Sequence, residues 1–184
     1  SFSDRAVELI SNRSTPIQSW FMDMNLVIGY WGAAGKRSYH HTAPINALYG
    51  LHEALVILRE EGLERAWARH LKHHHALRAG FEAMGLELAV AESARLPQLN
   101  VISVPEGVDE ARARSRLLAE YQLEVGAGLG ALAGKVWRIG LMGHSCNLRN
   151  VLLCLSAFET VLAGEGARVE RGAAEPAALA QFNS

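Results

Sequence analysis

The sequence predicts an α/β chain that turns α+β in its C-terminal half, and three observations carry that prediction. Ile45, Leu48, Leu51, Leu55 and Leu58 recur at spacings of three and four, the signature of an amphipathic helix. After Gly85 the period changes: Leu86-Glu87-Leu88-Ala89-Val90 alternates, and Leu99-Asn100-Val101-Ile102-Ser103-Val104 is a compact strand-like run. From Asn147 the helical period returns, with Leu148, Val151, Leu155, Phe158 and Leu162 on one face. Helix, two strands, helix, two strands, helix is the order of a short antiparallel or mixed sheet covered by helices on one side.

Each element follows from local signals. Ser3 caps a short helix running to Arg13, and Asn12 to Pro16 breaks it. Asp23 to Tyr30 is apolar and helical, ending at Gly32 and an Ala33-Ala34-Gly35 loop. Thr42 stands where an N-cap belongs, with Pro44 in the first turn of a helix that reaches Glu61 before Gly62 interrupts it. A second long helix, 63 to 84, sets Trp67, Leu71, Leu77, Phe81 and Met84 along one side. Asp109 caps a helix through Glu120, Gln122 to Gly126 forms a short strand, and Val136 to Leu141 forms another. Residues 1–62 are expected to form one domain end and 63–163 a smaller α+β domain. Residues 164–184 are rich in Ala, Gly and Glu without apolar period, and are expected to be a flexible tail, disordered or loosely helical.

Composition narrows the functions. Hydrophobic residues at 49% and charged ones at 20% are ordinary for a chain with a packed core. A formal net charge of −1 provides no cationic footprint for nucleic acid. No apolar run approaches the roughly 20 residues that span a bilayer, and the first residues do not read as a leader. Cys146 and Cys154 are too few for a disulfide framework and too far apart for a short zinc pair. They read as packed thiols in a reducing cytoplasm. His70, His73, His74 and His75 lack the Glu of a His-Glu-x-x-His helix, so no metal site is expected; His74 falls near the apolar stripe and the others face solvent.

Two motifs carry chemistry. Tyr39-His40-His41-Thr42-Ala43-Pro44 places two hydroxyls where a helix begins, and a helix N-terminus favours a phosphate. About a hundred residues later, Gly134-Lys135-Val136-Trp137-Arg138-Ile139-Gly140-Leu141-Met142-Gly143 sets an arginine inside an apolar strand, where it needs a partner. The glycines from Gly126 to Gly130 do not open a helix, as a nucleotide-binding loop must.

In this order and spacing the two motifs resemble the C-terminal part of the class V aminotransferases, pyridoxal-phosphate enzymes of fold type I, above all the alanine–glyoxylate/serine–pyruvate group. Trp20-Phe21-Met22-Asp23 through Tyr30-Trp31-Gly32 follows the same pattern, and the resemblance covers residues 1 to about 163. It implies that residues 1–62 end the large cofactor-binding and dimerisation domain. It implies that Arg138 holds the substrate α-carboxylate with its planar fork. Tyr39 and Thr42 would bind the cofactor phosphate of the other subunit in a homodimer, with His40 or His41 at the site's wall. The glycine-rich turn before Arg138 would let backbone pass close to the site. The implied reaction moves an amino group from alanine or serine to glyoxylate or pyruvate. A ureidoglycine–glyoxylate aminotransferase shares the framework, and a non-catalytic dimerisation or regulatory module is the alternative outside catalysis. The family's Schiff-base lysine lies in a Ser-Gln-Lys context that Lys36, Lys72 and Lys135 all lack. The chain therefore reads as part of a larger enzyme and is expected to be inactive alone. Cys146 resembles a desulfurase nucleophile only by residue type, and a packed thiol is expected there.

Overall fold

The computed structural model describes residues 2–31 and 38–184. The expected loop at 33–35, its flanking Gly32 and Lys36 lie outside the described residues. The chain divides into two compact units, Ser1–Ile57 and Leu58–Ser184.

In the first unit, α1 (Asp4–Ser11) begins as expected, with the Ser3 hydroxyl accepting from the Ala6 N–H. A single helical turn at Trp20–Met22 precedes α2 (Met24–Trp31). The third helix, α3 (Ile45–Glu61), starts three residues later than the expected cap. The Leu48 N–H donates to the Pro44 carbonyl, so the helix opens at Pro44. A residue before proline is pushed out of the helical region, so Ala43 cannot extend the helix back. Thr42 therefore does not cap α3, and its hydroxyl is left for other partners. None of these three helices buries a side chain fully: Ile45, Leu48, Leu51 and Leu55 all stand exposed on α3.

The second unit holds the core. Gly62, at φ 84°, breaks the helical path, and α4 (Leu63–Ala83) follows. The sheet has three antiparallel strands, β1 (Leu99–Ser103), β2 (Gly126–Ala127) and β3 (Val136–Gly140), in the order β1-β3-β2. Between them runs α5 (Glu110–Tyr121), capped by Asp109 through the Arg112 N–H. After the sheet comes α6 (Leu148–Gly164), capped by Asn147 through the Asn150 N–H. In register, Ile102 opposes Trp137 and Asn100 opposes Ile139, all four buried toward the helices. Phe158 of α6 meets Phe81 of α4 edge-on at 5.2 Å and Trp137 of β3 at 5.4 Å between ring centres.

Several expectations are corrected. Leu86 to Val90 forms a single bridge, Leu88 to Ile102, because the chain turns away at Glu92–Ala94. The strand expected at Gln122 begins only at Gly126, since Gln122 takes a left-handed φ of 54° to end α5. On α4, Leu77, Phe81 and Met84 enter the core, whereas Trp67 is 59% exposed and Leu71 45% exposed. The buried face turns on Ala66, His73, Ala76 and Gly80 instead. At Gly80 a Cβ would lie 2.3 Å from Leu155 Cδ1, which is how α4 and α6 come so close. Part of the segment expected to be disordered or loosely helical is an ordinary helix. This is α7 (Ala174–Asn183), whose Ala174 and Ala178 are buried, while Phe182 lies 4.1 Å under Lys72 Nζ and 5.2 Å from the His73 ring. Small alanines four residues apart let the helix dock without the large apolar stripe that periodicity detects.

His74 ties α4 to β1 from inside, its Nδ1–H donating to Asn100 Oδ1 at 2.6 Å. Burial pushes its pKa below the usual histidine range, the Asn100 hydrogen bond opposes that, and His75, Arg78 and Arg95 add to the lowering. In the unfolded chain a histidine titrates near about 6.5, so below that pH the unfolded state binds the extra proton. Stability should be whole above about pH 6.5 and fall as pH drops below it, by at most about 1.4 kcal/mol per pH unit for this group. Urea unfolding across that range checks this, and His74→Gln should flatten the slope.

Candidate functional site

The first cluster lies in the Ser1–Ile57 unit. The Tyr39 hydroxyl and Thr42 Oγ1 are 2.8 Å apart, and Tyr39 is 67% exposed. Two hydroxyls converge on one exposed point just ahead of α3, whose N-terminus carries partial positive charge. The two hydroxyls hydrogen-bond each other, so one O–H is donated within the pair and the other is left for an anion, which could take both once that bond opens. Behind it, His40 is buried, its Nε2–H donating to the Trp20 carbonyl at 2.9 Å and its ring 4.1 Å from that of Trp20. That bond leaves His40 Nδ1 as the acceptor for His41 Nδ1–H at 2.8 Å. The His41 ring leans on Phe21, with 4.6 Å between centres. The histidines thus hold the segment in place and present no free donor pair.

The second cluster lies in the Leu58–Ser184 unit. Strand alternation sends Trp137 and Ile139 into the core and Arg138 to the opposite face, where it is half-buried beside Val101 and Gly126. Its Nε–H donates to the Ala127 carbonyl at 2.7 Å. Among the described residues no carboxylate pairs with the guanidinium. A guanidinium has the planar donor fork that matches a carboxylate with two parallel hydrogen bonds. Lys72 is engaged over Phe182, and Lys135 is exposed just before β3.

One arrangement has no local sequence signal. After β3 the chain turns at Gly143, and two adjacent α4 side chains grip that residue. Arg69 Nη1 donates to the Gly143 and Cys146 carbonyls at 2.9 and 3.0 Å, while His70 Nε2 accepts from the Gly143 N–H at 3.1 Å. His70 Nδ1–H donates to the Ala66 carbonyl, so this geometry requires the neutral ring. Glu61 holds the Arg69 guanidinium from the other side, and that pairing raises the Arg69 pKa and lowers that of Glu61. These contacts join positions more than seventy residues apart, which no motif reveals.

The histidine run is spent on structure. His73, expected to face solvent, is buried and donates Nδ1–H to the Arg69 carbonyl. Among the described residues no group of three or more His, Cys, Asp or Glu side chains is placed to hold a metal ion. Burial pushes the Cys146 thiol up despite the nearby Arg69, and pushes Cys154 up to about 12. Both are free, buried and protonated, the opposite of an activated nucleophile. No described helix is long and apolar enough to cross a membrane.

No family model matches the chain. It is 42% identical over 177 residues to the (S)-ureidoglycine–glyoxylate transaminase of Bacillus subtilis, covering 96% of this chain and 41% of the relative. With the alanine–glyoxylate aminotransferase of Callithrix jacchus it shares 40% identity over 164 residues, 88% of this chain and 40% of the relative. The crystal structure of the Bacillus subtilis ureidoglycine–glyoxylate aminotransferase superposes with a TM-score of 0.92 at 38% identity, covering 100% of this chain and 47% of that one. The chain spans about two fifths of the length of the curated relatives it matches.

Proposed function

This chain is the homologue of the C-terminal part of the class V, fold type I aminotransferases, enzymes that depend on pyridoxal phosphate, and on that premise we propose that the whole protein transfers an amino group from a small amino acid to a small 2-oxo acid. Alanine or serine is the donor and glyoxylate or pyruvate the acceptor. The observation that carries this reading is Arg138, a half-buried strand arginine with its Nε fixed on backbone and no carboxylate partner among the described residues. Its terminal nitrogens would take the α-carboxylate of donor and acceptor alike. Pyridoxal phosphate, when bound, supplies the electron sink that makes the substrate Cα–H acidic. Tyr39 and Thr42 would hold its phosphate, a role the 2.8 Å convergence of two exposed hydroxyls supports. Residues 1–62 would end the large domain and 63–163 form the small one.

We propose that the phosphate belongs to the partner in a homodimer. The exposed apolar residues Ile45, Leu48, Leu51 and Leu55 of α3 support a covered interface on that unit. Two free buried thiols fit a cytoplasmic location. Thr42→Ala should weaken cofactor retention in the full-length enzyme, read as faster loss of bound-cofactor absorbance on dialysis. Paired with a subunit inactivated elsewhere, the defect should act in trans; a defect confined to its own subunit would refute the cross-subunit assignment.

A second reading, ureidoglycine as donor and glyoxylate as acceptor, is favoured by the 42% identity and the TM-score of 0.92 to a transaminase of that description. The full-length protein, saturated with pyridoxal phosphate and offered each donor with each acceptor, separates the readings. Turnover of alanine or serine supports the first, and turnover confined to ureidoglycine the second. No turnover with any pair would leave a non-catalytic module.

A further inference from the structure

Arg138 is oriented by the backbone of the neighbouring strand. Antiparallel pairing sets Gly126 opposite Arg138 and Ala127 opposite Trp137. The Ala127 carbonyl accepts Nε–H at 2.7 Å. At Gly126 a Cβ would sit 3.3 Å from Arg138 Nη2, 3.4 Å from Nε and 3.5 Å from its Cβ, so the guanidinium lies close against the place a side chain would fill. A guanidinium can hold a carboxylate side-on, through Nε and one Nη, or end-on, through both Nη atoms. With Nε–H spent on Ala127, only the end-on fork is open.

We propose that Gly126 is a positioning residue for substrate binding: its bare Cα and the Ala127 carbonyl together preset the Arg138 fork for end-on capture of an α-carboxylate. This rests on the assignment of Arg138 to the substrate. Presetting the fork spares rotamer entropy that a free arginine would lose on binding. Gly126 differs in this from Gly128, where a Cβ would lie 2.0 Å from the Leu132 carbonyl oxygen and the chain itself would have to move. At Gly126 the obstacle is a side-chain tip, so alanine is accommodated by displacing the guanidinium.

The test is a double-mutant cycle in the full-length enzyme. Gly126→Ala should raise KM for α-amino acid donors about three- to tenfold, leave kcat within about twofold and leave the melting temperature unchanged. In an Arg138→Lys background the same change should add nothing, because the group it displaces is gone. The inhibition constant of acetate, a bare carboxylate, should move with KM. A silent Gly126→Ala beside a damaging Arg138→Lys overturns the positioning role and leaves the Arg138 assignment standing. Additive effects overturn it too, since Gly126 would then act elsewhere, as does a variant that fails to fold. If Arg138→Lys itself leaves amino acid KM unchanged, the underlying assignment is what fails.

Discussion

Arg138→Lys in the full-length enzyme should lower kcat/KM for α-amino acid donors by about ten- to a hundredfold. Hydrogen bonds to charged groups contribute about 1.5–3 kcal/mol, and each 1.4 kcal/mol is a factor of ten. Lysine keeps the charge, but as a point with no planar fork, and its shorter donor set cannot bond Ala127 and also grip two carboxylate oxygens. The loss should be much smaller for an amine donor without a carboxylate, since that donor never used the contact. Steady-state kinetics with both donor types, alongside cofactor absorbance and a melting curve, decides the matter. Equal losses for both donors, or a protein that unfolds, would make Arg138 a structural residue.

Much of the second unit was legible because its signals are local. Asp109 and Asn147 cap α5 and α6 with the side-chain bonds their types predict, and apolar alternation marked β1 and β3 within a residue or two. Arg138 stood out as a charge inside an apolar strand. The misses share a physical cause. Thr42 looks like a cap until the constraint that Pro44 places on Ala43 is counted, and that constraint leaves its hydroxyl beside Tyr39. Trp67 and Leu71 fit a helical stripe, yet the packing partner chose the neighbouring face, lined by alanine and glycine, because close helix approach needs small residues. The same preference left α7 without an apolar stripe, so its docking was not legible. The grip of Arg69 and His70 on Gly143, and the fit of Arg138 against Gly126, are long-range juxtapositions that only the folded chain creates.

Phe158→Ala should cost about 3–5 kcal/mol of unfolding free energy, the range for deleting a buried phenylalanine. Domains have only about 5–15 kcal/mol in all, so the variant should be near the edge of folding at 37 °C. Phe158 is fully buried, and its ring touches both Phe81 on α4 and Trp137 on β3. Its removal leaves a cavity that neither neighbour fills easily: Trp137 is fixed in β3 with Nε1–H donating to the Glu110 carbonyl, and Phe81 belongs to the helix that Gly80 brings against α6. Phe182→Ala is the comparison. That ring is only half-buried at the edge of α7, against Lys72 and His73, so its loss should be clearly smaller. Urea unfolding followed by tryptophan fluorescence measures both. If the two variants lose equal stability, or Phe158→Ala loses less than about 1 kcal/mol, the aromatic cluster does not join the sheet to its helices as the packing indicates.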